Sequence, residues 1–363
     1  MRIKLEPRVE PSRVMGYASP LIAAGLMLAA GFVIFAVLGR DPLEAFYVFF
    51  VTPVADLYGV GELLLKAAPL MLIGLGLAVG FRAQVWNIGA EGQLAFGAIF
   101  GGGLALYFHG SESPWLLPAM IAAGALGGMA WAAIPALLRT RFNTNEILVS
   151  LMLNYVAILI LSYLVHGPWR NPEGFAFPES REFGEAALLP ILIEGTRMNA
   201  GLLIALAAVG VGWVFMTKSF AGFQMRVAGL AERAARYAGF SSHRVVWTGL
   251  LVGGACAGVA GVCEVAGPIG QLLPSVSPGY GYAAIVVAFV GRLHPLGILL
   301  ASLLMSLLYL GGEAAQMGLG LPAAVTGLFQ GLLLFFLLAA DVFVNFRIRV
   351  VRPGGRAAGE PTT

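Results

Sequence analysis

The stretch Glu62-Leu-Leu-Leu-Lys66-Ala-Ala-Pro-Leu-Met-Leu-Ile-Gly-Leu-Gly-Leu-Ala-Val-Gly-Phe81 decides the fold class. After Lys66 it runs to Phe81 without a charge, and Arg82 closes it. About 20 mostly apolar residues suffice to cross a bilayer as a helix. The rest of the 363-residue chain has the same character, with 59% hydrophobic and only 11% charged residues, where a soluble domain carries roughly 25% charged. That composition excludes an ordinary soluble enzyme, a disordered chain and a DNA-binding protein. A net charge of +3 gives no reason to expect a nucleic-acid partner. The two cysteines, Cys256 and Cys263, sit in one apolar run and form no disulfide framework.

Working outward from residues 62–81, the pattern predicts an all-α, polytopic bundle of about ten spans: 17–38, 62–81, 92–108, 115–138, 145–165, 199–217, 245–266, 279–291, 295–312 and 322–343. The first is too long for the apolar core of a secretory signal and reads as a retained helix. Segment 279–291 is short for a span, and reads as a broken helix, a re-entrant piece, or a run continuous with 295–312. With the N-terminus inside, ten spans place both termini in the cytoplasm. Of the 22 Lys and Arg residues, only Arg40, Lys66, Arg170, Arg181 and Arg197 then fall outside, which agrees with the positive-inside bias. The organisation expected is a cytoplasmic segment 1–16, a membrane domain 17–343 and a basic cytoplasmic tail 344–363. An external loop spans 166–198 and an internal loop spans 218–244. The external loop reads equally as a functional element and as a solvated linker.

No Walker A motif is present, since none of Lys4, Lys66 or Lys218 follows a glycine. The four histidines show no metal-ligand spacing, so neither cofactor nor metal is expected. Glycine pairs four apart (Gly97/Gly101, Gly124/Gly128, Gly249/Gly253, Gly254/Gly258, Gly327/Gly331) read as close-packing seams between helices. Two polar groups stand out against this background. The first is Asn87, Glu91 and Gln93, at the mouth of or inside an apolar region; it reads either as the lining of a translocation path or as a cytoplasmic elbow with a Glu91–Arg82 pair. The second is Glu146, Ser150 and Asn154, on one helix face at four-residue spacing. It reads as a path lining or as interhelical hydrogen bonding. Glu264 and Glu313, near the outer ends of their spans, read as solvated. In the internal loop, the alanine-rich Glu232–Ala238 has high helix propensity, with Gly239 as its C-cap. It reads as a docking helix or as a basic surface helix touching anionic lipid.

Asn87-Ile-Gly-Ala-Glu-Gly-Gln93, Asn145-Glu-Ile-Leu-Val-Ser-Leu-Met-Leu-Asn-Tyr155, Arg226-Val-Ala-Gly-Leu-Ala-Glu-Arg-Ala-Ala-Arg-Tyr-Ala-Gly239 and Gly279-Tyr-Gly-Tyr-Ala-Ala-Ile-Val-Val-Ala-Phe-Val-Gly291 occur in that order. Together they resemble the inner-membrane permeases of ABC transporters for nucleosides and simple sugars, relatives of the ribose and branched-chain amino-acid permeases. The resemblance implies a transport subunit, not an enzyme, in the bacterial inner membrane. Its implied partners are a second homologous permease, a cytoplasmic ABC ATPase, an extracytoplasmic solute-binding protein, membrane lipid and a small-molecule substrate. It also implies that Arg226, Gly229, Glu232, Ala234, Ala235, Tyr237 and Gly239 form the ATPase-coupling segment. The general importer motif differs, lacking the counterpart of Arg233 and carrying a later Leu-Pro. The alternative class is a gradient-coupled secondary transporter, for which Glu91 and Glu264 would be the candidate carboxylates.

Overall fold

The computed structural model describes residues 2–8, 12–174 and 177–351. A strand β1 (Arg2–Pro7) precedes α1 (Arg13–Val37) and α2 (Pro42–Phe46). Then follow α3 (Leu57–Arg82), α4 (Ala90–Tyr107), α5 (Leu116–Phe142), α6 (Glu146–His166) and α7 (Gly201–Lys218). The 218–244 loop holds α8 (Phe220–Leu230) and α9 (Glu232–Tyr237). The chain continues through α10 (Ser242–Glu264), α11 (Tyr280–Val290), α12 (Pro295–Leu319) and α13 (Ala324–Asn345) to β2 (Phe346–Val351). Each of the ten expected spans coincides with one helix. Eight of these are long and apolar enough to cross a membrane. The other two are α4, with 18 residues, and α11, with 11. At 1.5 Å per residue α11 rises about 16 Å, roughly half the hydrocarbon thickness. It is separate from α12, because Arg292 and Leu293 take left-handed conformations (φ +57° and +51°) that turn the chain before Pro295.

The chain divides into two compact units. The first comprises Met1–Phe46 and Leu321–Thr363. Within it, α1 packs on α13, and Ser12 caps α1 by accepting from the Met15 amide. β1 pairs antiparallel with β2, Arg2 opposite Val351 and Pro7 opposite Phe346, a two-stranded ribbon not foreseen in an all-α chain. Phe35 meets Phe46 edge-on at 5.4 Å and Phe329 at 5.6 Å. The Gly327/Gly331 pair forms no seam among the described residues, none of which lies within 4 Å of either position's missing side chain. Residues 352–363 of the expected basic tail, and residues 1 and 9–11 of the N-terminal segment, lie outside the described residues.

The second unit is Tyr47–Gly320. Its centre is α10, which packs on α3, α4 and α5. Here the glycine seams hold: a side chain at Gly258 would collide with the Gly124 carbonyl, and one at Gly254 with that of Gly128. In lipid, where apolar burial cannot drive helix association, such backbone approach is a main source of contact energy. The Gly101–Gly103 run stays helical inside α4.

The 166–198 loop is tied to the segment that follows α10 rather than hanging free. The Leu189 amide donates to the Ala266 carbonyl, that of Phe183 to Gly270, and Ser180 and Leu272 exchange bonds. Arg197 of this loop makes a two-pronged pair with the buried Glu62 of α3, at 2.8 and 2.5 Å. That partnership holds the Arg197 guanidinium above its ordinary pKa. Lys66 pairs with Glu313 at 2.8 Å, leaving Glu313 exposed. Glu264, the last residue of α10, is half-buried, against the expectation of a solvated side chain, because the 183–199 segment packs on the residues that follow it.

Candidate functional site

Between α3 and α4 the chain leaves the helix for seven residues, Ala83–Gly89. Gln84 takes a left-handed conformation (φ +58°) and the backbone then runs without helical bonds to Ala90. In a membrane protein every amide and carbonyl freed in this way needs a partner from the protein. The stripe on α6 supplies it. Glu146 accepts from the Trp86 amide at 3.3 Å and Ser150 Oγ from the Ile88 amide at 3.2 Å. Asn154 donates to the Ile88 carbonyl at 2.9 Å and accepts from the Gly92 amide at 2.8 Å. The match is geometric. Two residues of extended chain advance about 6.6 Å, and four residues of helix advance about 6 Å, so Glu146 and Ser150 keep step with Trp86 and Ile88, and Asn154 bridges Ile88 to the first turn of α4. Arg139, at the end of α5, pairs with Glu146 and anchors the stripe's outermost member.

The elbow's own side chains complete the node. Asn87 accepts from the Gly89 amide at 2.9 Å and exchanges amide bonds with Gln93 at 2.9 and 3.1 Å. Glu91, on the first turn of α4, accepts from the Gly281 amide at 2.7 Å. The start of α11 is capped by Ser277 Oγ, which accepts from the Tyr280 amide at 2.9 Å. Asn154 donates a second bond, to the Tyr282 hydroxyl, at 3.1 Å. All six polar residues singled out from the sequence therefore meet at one place, where α4, α6, α10 and α11 converge, and all six are buried. The Glu91–Arg82 pair does not form: Arg82 instead donates to the Leu293 carbonyl at 2.9 Å. Sequence reasoning missed Arg139, Ser277 and Tyr282. Of these only Arg139, seven residues before Glu146 across a helical turn, carried a readable signal.

The 218–244 loop forms two helices. Ser219 caps α8 by accepting from the Gly222 amide at 2.9 Å. Helix α9 ends one residue earlier than expected, with Ala238 as the cap and Gly239 beyond it at φ +83°. The Gly239 amide donates to Arg236 and that of Phe240 to Ala235, the paired bonds of a Schellman ending. Ala235 is the one buried residue of α9; Glu232, Ala234 and Tyr237 are exposed, Tyr237 by 97%. Glu232 and Arg236 pair across one turn at 2.6 Å. Phe220, Phe223 and Leu230 of α8 are also exposed.

Gly229 and Arg226 lie on the same helix with different duties. Arg226 is exposed. Gly229 abuts the Arg82 carbonyl and Ala83, so that any side chain there would strike backbone. Helix α8 thus bears directly on the residues where α3 becomes the elbow.

Comparison with known proteins agrees with this architecture. Residues 59–338 match the family described as branched-chain amino acid transport system / permease component. A glucose ABC transporter permease of Haloferax volcanii is 37% identical, covering 100% of this chain and 98% of that protein. A guanosine ABC transporter permease of Bacillus subtilis is 31% identical over 90% of this chain and 94% of its own. A nucleoside ABC transporter permease of Lactococcus lactis is 28% identical over 93% of each.

Proposed function

The chain belongs to the branched-chain amino acid transport system / permease component family, and on that premise we propose that it imports nucleosides or simple sugars by alternating access. It is a multi-pass membrane transport subunit of an ABC transporter, and hydrolysis belongs to a separate ATPase subunit. The finer assembly proposed is one second, homologous permease, one ATPase on the cytoplasmic side and one solute-binding protein outside. Relatives named for glucose, guanosine and nucleosides support a hydroxylated, uncharged solute.

The observation that carries the mechanism is the contact of Gly229 with Arg82 and Ala83. In this reading α9 and its exposed residues Glu232, Ala234 and Tyr237, with Gly239 beyond it, meet the ATPase, while Arg226 of α8 faces the cleft beside Gly229. Displacement of α8 then moves the elbow, and the elbow moves Asn87, Glu91, Gln93, Glu146, Ser150 and Asn154 against α11. Those six residues form the closed wall of the path in one state and part in the other. ATP shifts the equilibrium only by its differential affinity for the two states.

The test is uptake of labelled glucose, ribose, guanosine and uridine by cells carrying the whole transporter, with Glu232→Lys and Gly239→Val variants. Uptake of one solute class, abolished in both variants at unchanged membrane levels of the chain, supports the reading. Full uptake in both variants removes the coupling assignment.

A further inference from the structure

Beside the Gly229 contact lies an open cleft of about 540 Å³ between the end of α3, the α7–α8 junction and the α11–α12 turn. Arg82, Arg226 and His294 line it, and among the described residues no aspartate or glutamate does. Arg226 stands close enough to Arg82 for their charges to repel, and Arg82 in turn acts unfavourably on a protonated His294. A cleft that brings Arg82, Arg226 and His294 together suits an anion.

Helix α7 indicates which anion. Thr217 lies beside the cleft wall residue Met216, and Val214, Trp213, Gly210, Leu206 and Leu203 follow it on one helix face. Leu203, Leu206, Trp213 and Val214 are all exposed, and nothing lies within 4 Å of Gly210. The stripe from 203 to 217 is about 21 Å long, longer than the hydrocarbon of one leaflet at about 15 Å. Trp213, near the cleft, suits the membrane interface. An open apolar track therefore ends at a cationic cleft.

We propose that this cleft holds the phosphate headgroup of an anionic glycerophospholipid, seated between Arg82 and Arg226, with an acyl chain lying along α7. Clusters of Lys and Arg at the cytoplasmic ends of membrane helices attract anionic headgroups in this way. The proposal rests on the reading that this end of the second unit faces the cytoplasm. It does not require the ATPase, so its failure is separable from failure of the coupling reading.

The experiment is native mass spectrometry of the full-length chain in mild detergent, with phosphatidylglycerol or phosphatidylcholine added, and separately with inorganic phosphate. Wild type is expected to retain phosphatidylglycerol preferentially. Arg226→Gln should lower that retention about fivefold, the effect of one near-surface cation. Arg226→Glu should abolish the preference, and Trp213→Ala should weaken retention. Arg244→Gln, which changes an exposed cation outside the cleft, should leave it unchanged. Equal retention of the two lipids, or a preference that survives Arg226→Glu, overturns the site. Inorganic phosphate bound without any lipid preference overturns the lipid as occupant.

Discussion

Asn154 holds three bonds to three different pieces of chain, and its replacement by leucine leaves the Ile88 carbonyl and the Gly92 amide buried and unpaired. Each such orphan costs about 1–3 kcal/mol, so Asn154→Leu should destabilise the protein by about 2 kcal/mol or more. Ser150→Ala, which orphans the Ile88 amide alone, should cost about 1 kcal/mol. Thermal unfolding of both variants in the same detergent orders them. A second residue-scale expectation concerns His294, outside the spans, whose imidazole is held below its ordinary pKa by burial and by Arg82. The unfolded chain takes up this proton first as pH falls, so His294 stabilises the fold above about pH 6.5 and that contribution is lost on acidification. An NMR titration of the labelled ring should show a depressed midpoint, and Arg82→Gln should raise it. The identities of Asn87, Glu91, Glu146, Ser150 and Asn154 as residues worth attention were legible in the sequence, because polar side chains in an apolar run are costly and must be answered. Their partners were not. Those are largely backbone amides and carbonyls, which every residue carries and no residue type announces.

Helix α8 shows the limit one level up. Its composition, Phe220-Ala-Gly-Phe-Gln-Met-Arg-Val-Ala-Gly-Leu230, has two glycines and two phenylalanines, so propensity points past it to the alanine-rich α9, where the sequence did place a helix. What makes α8 helical is a serine cap at its start and packing on α3 and α10. The ten apolar helices of the expected spans were legible because hydropathy alone marks them; whether α11 runs on into α12 was not, since that is settled by the left-handed Arg292–Leu293 turn. At this scale the Gly229 contact is the sharpest point to test. Gly229→Leu would drive a side chain into the Arg82 carbonyl and separate α8 from α3. The expected outcome is a chain that inserts normally, with uptake reduced at least about tenfold and residual ATPase activity retained by the assembled complex.

For the molecule as a whole, the alternation proposed here requires that the node open in some state. Single cysteines at 87, 91 and 154, in a background with Cys256 and Cys263 replaced, should be inert to aqueous thiol reagents in one nucleotide state and reactive in another. Protection in every state would leave the node a permanent joint rather than a path wall. The contact between Gly229 and the end of α3 also has a consequence in the opposite direction. A joint with no side chain between its two backbones has no slack, so it transmits from either end. If nucleotide on the ATPase biases the elbow, then the elbow biases nucleotide binding by the same factor. A leucine at position 154, deep within this chain, would thus be felt as an altered ATP affinity on a different polypeptide.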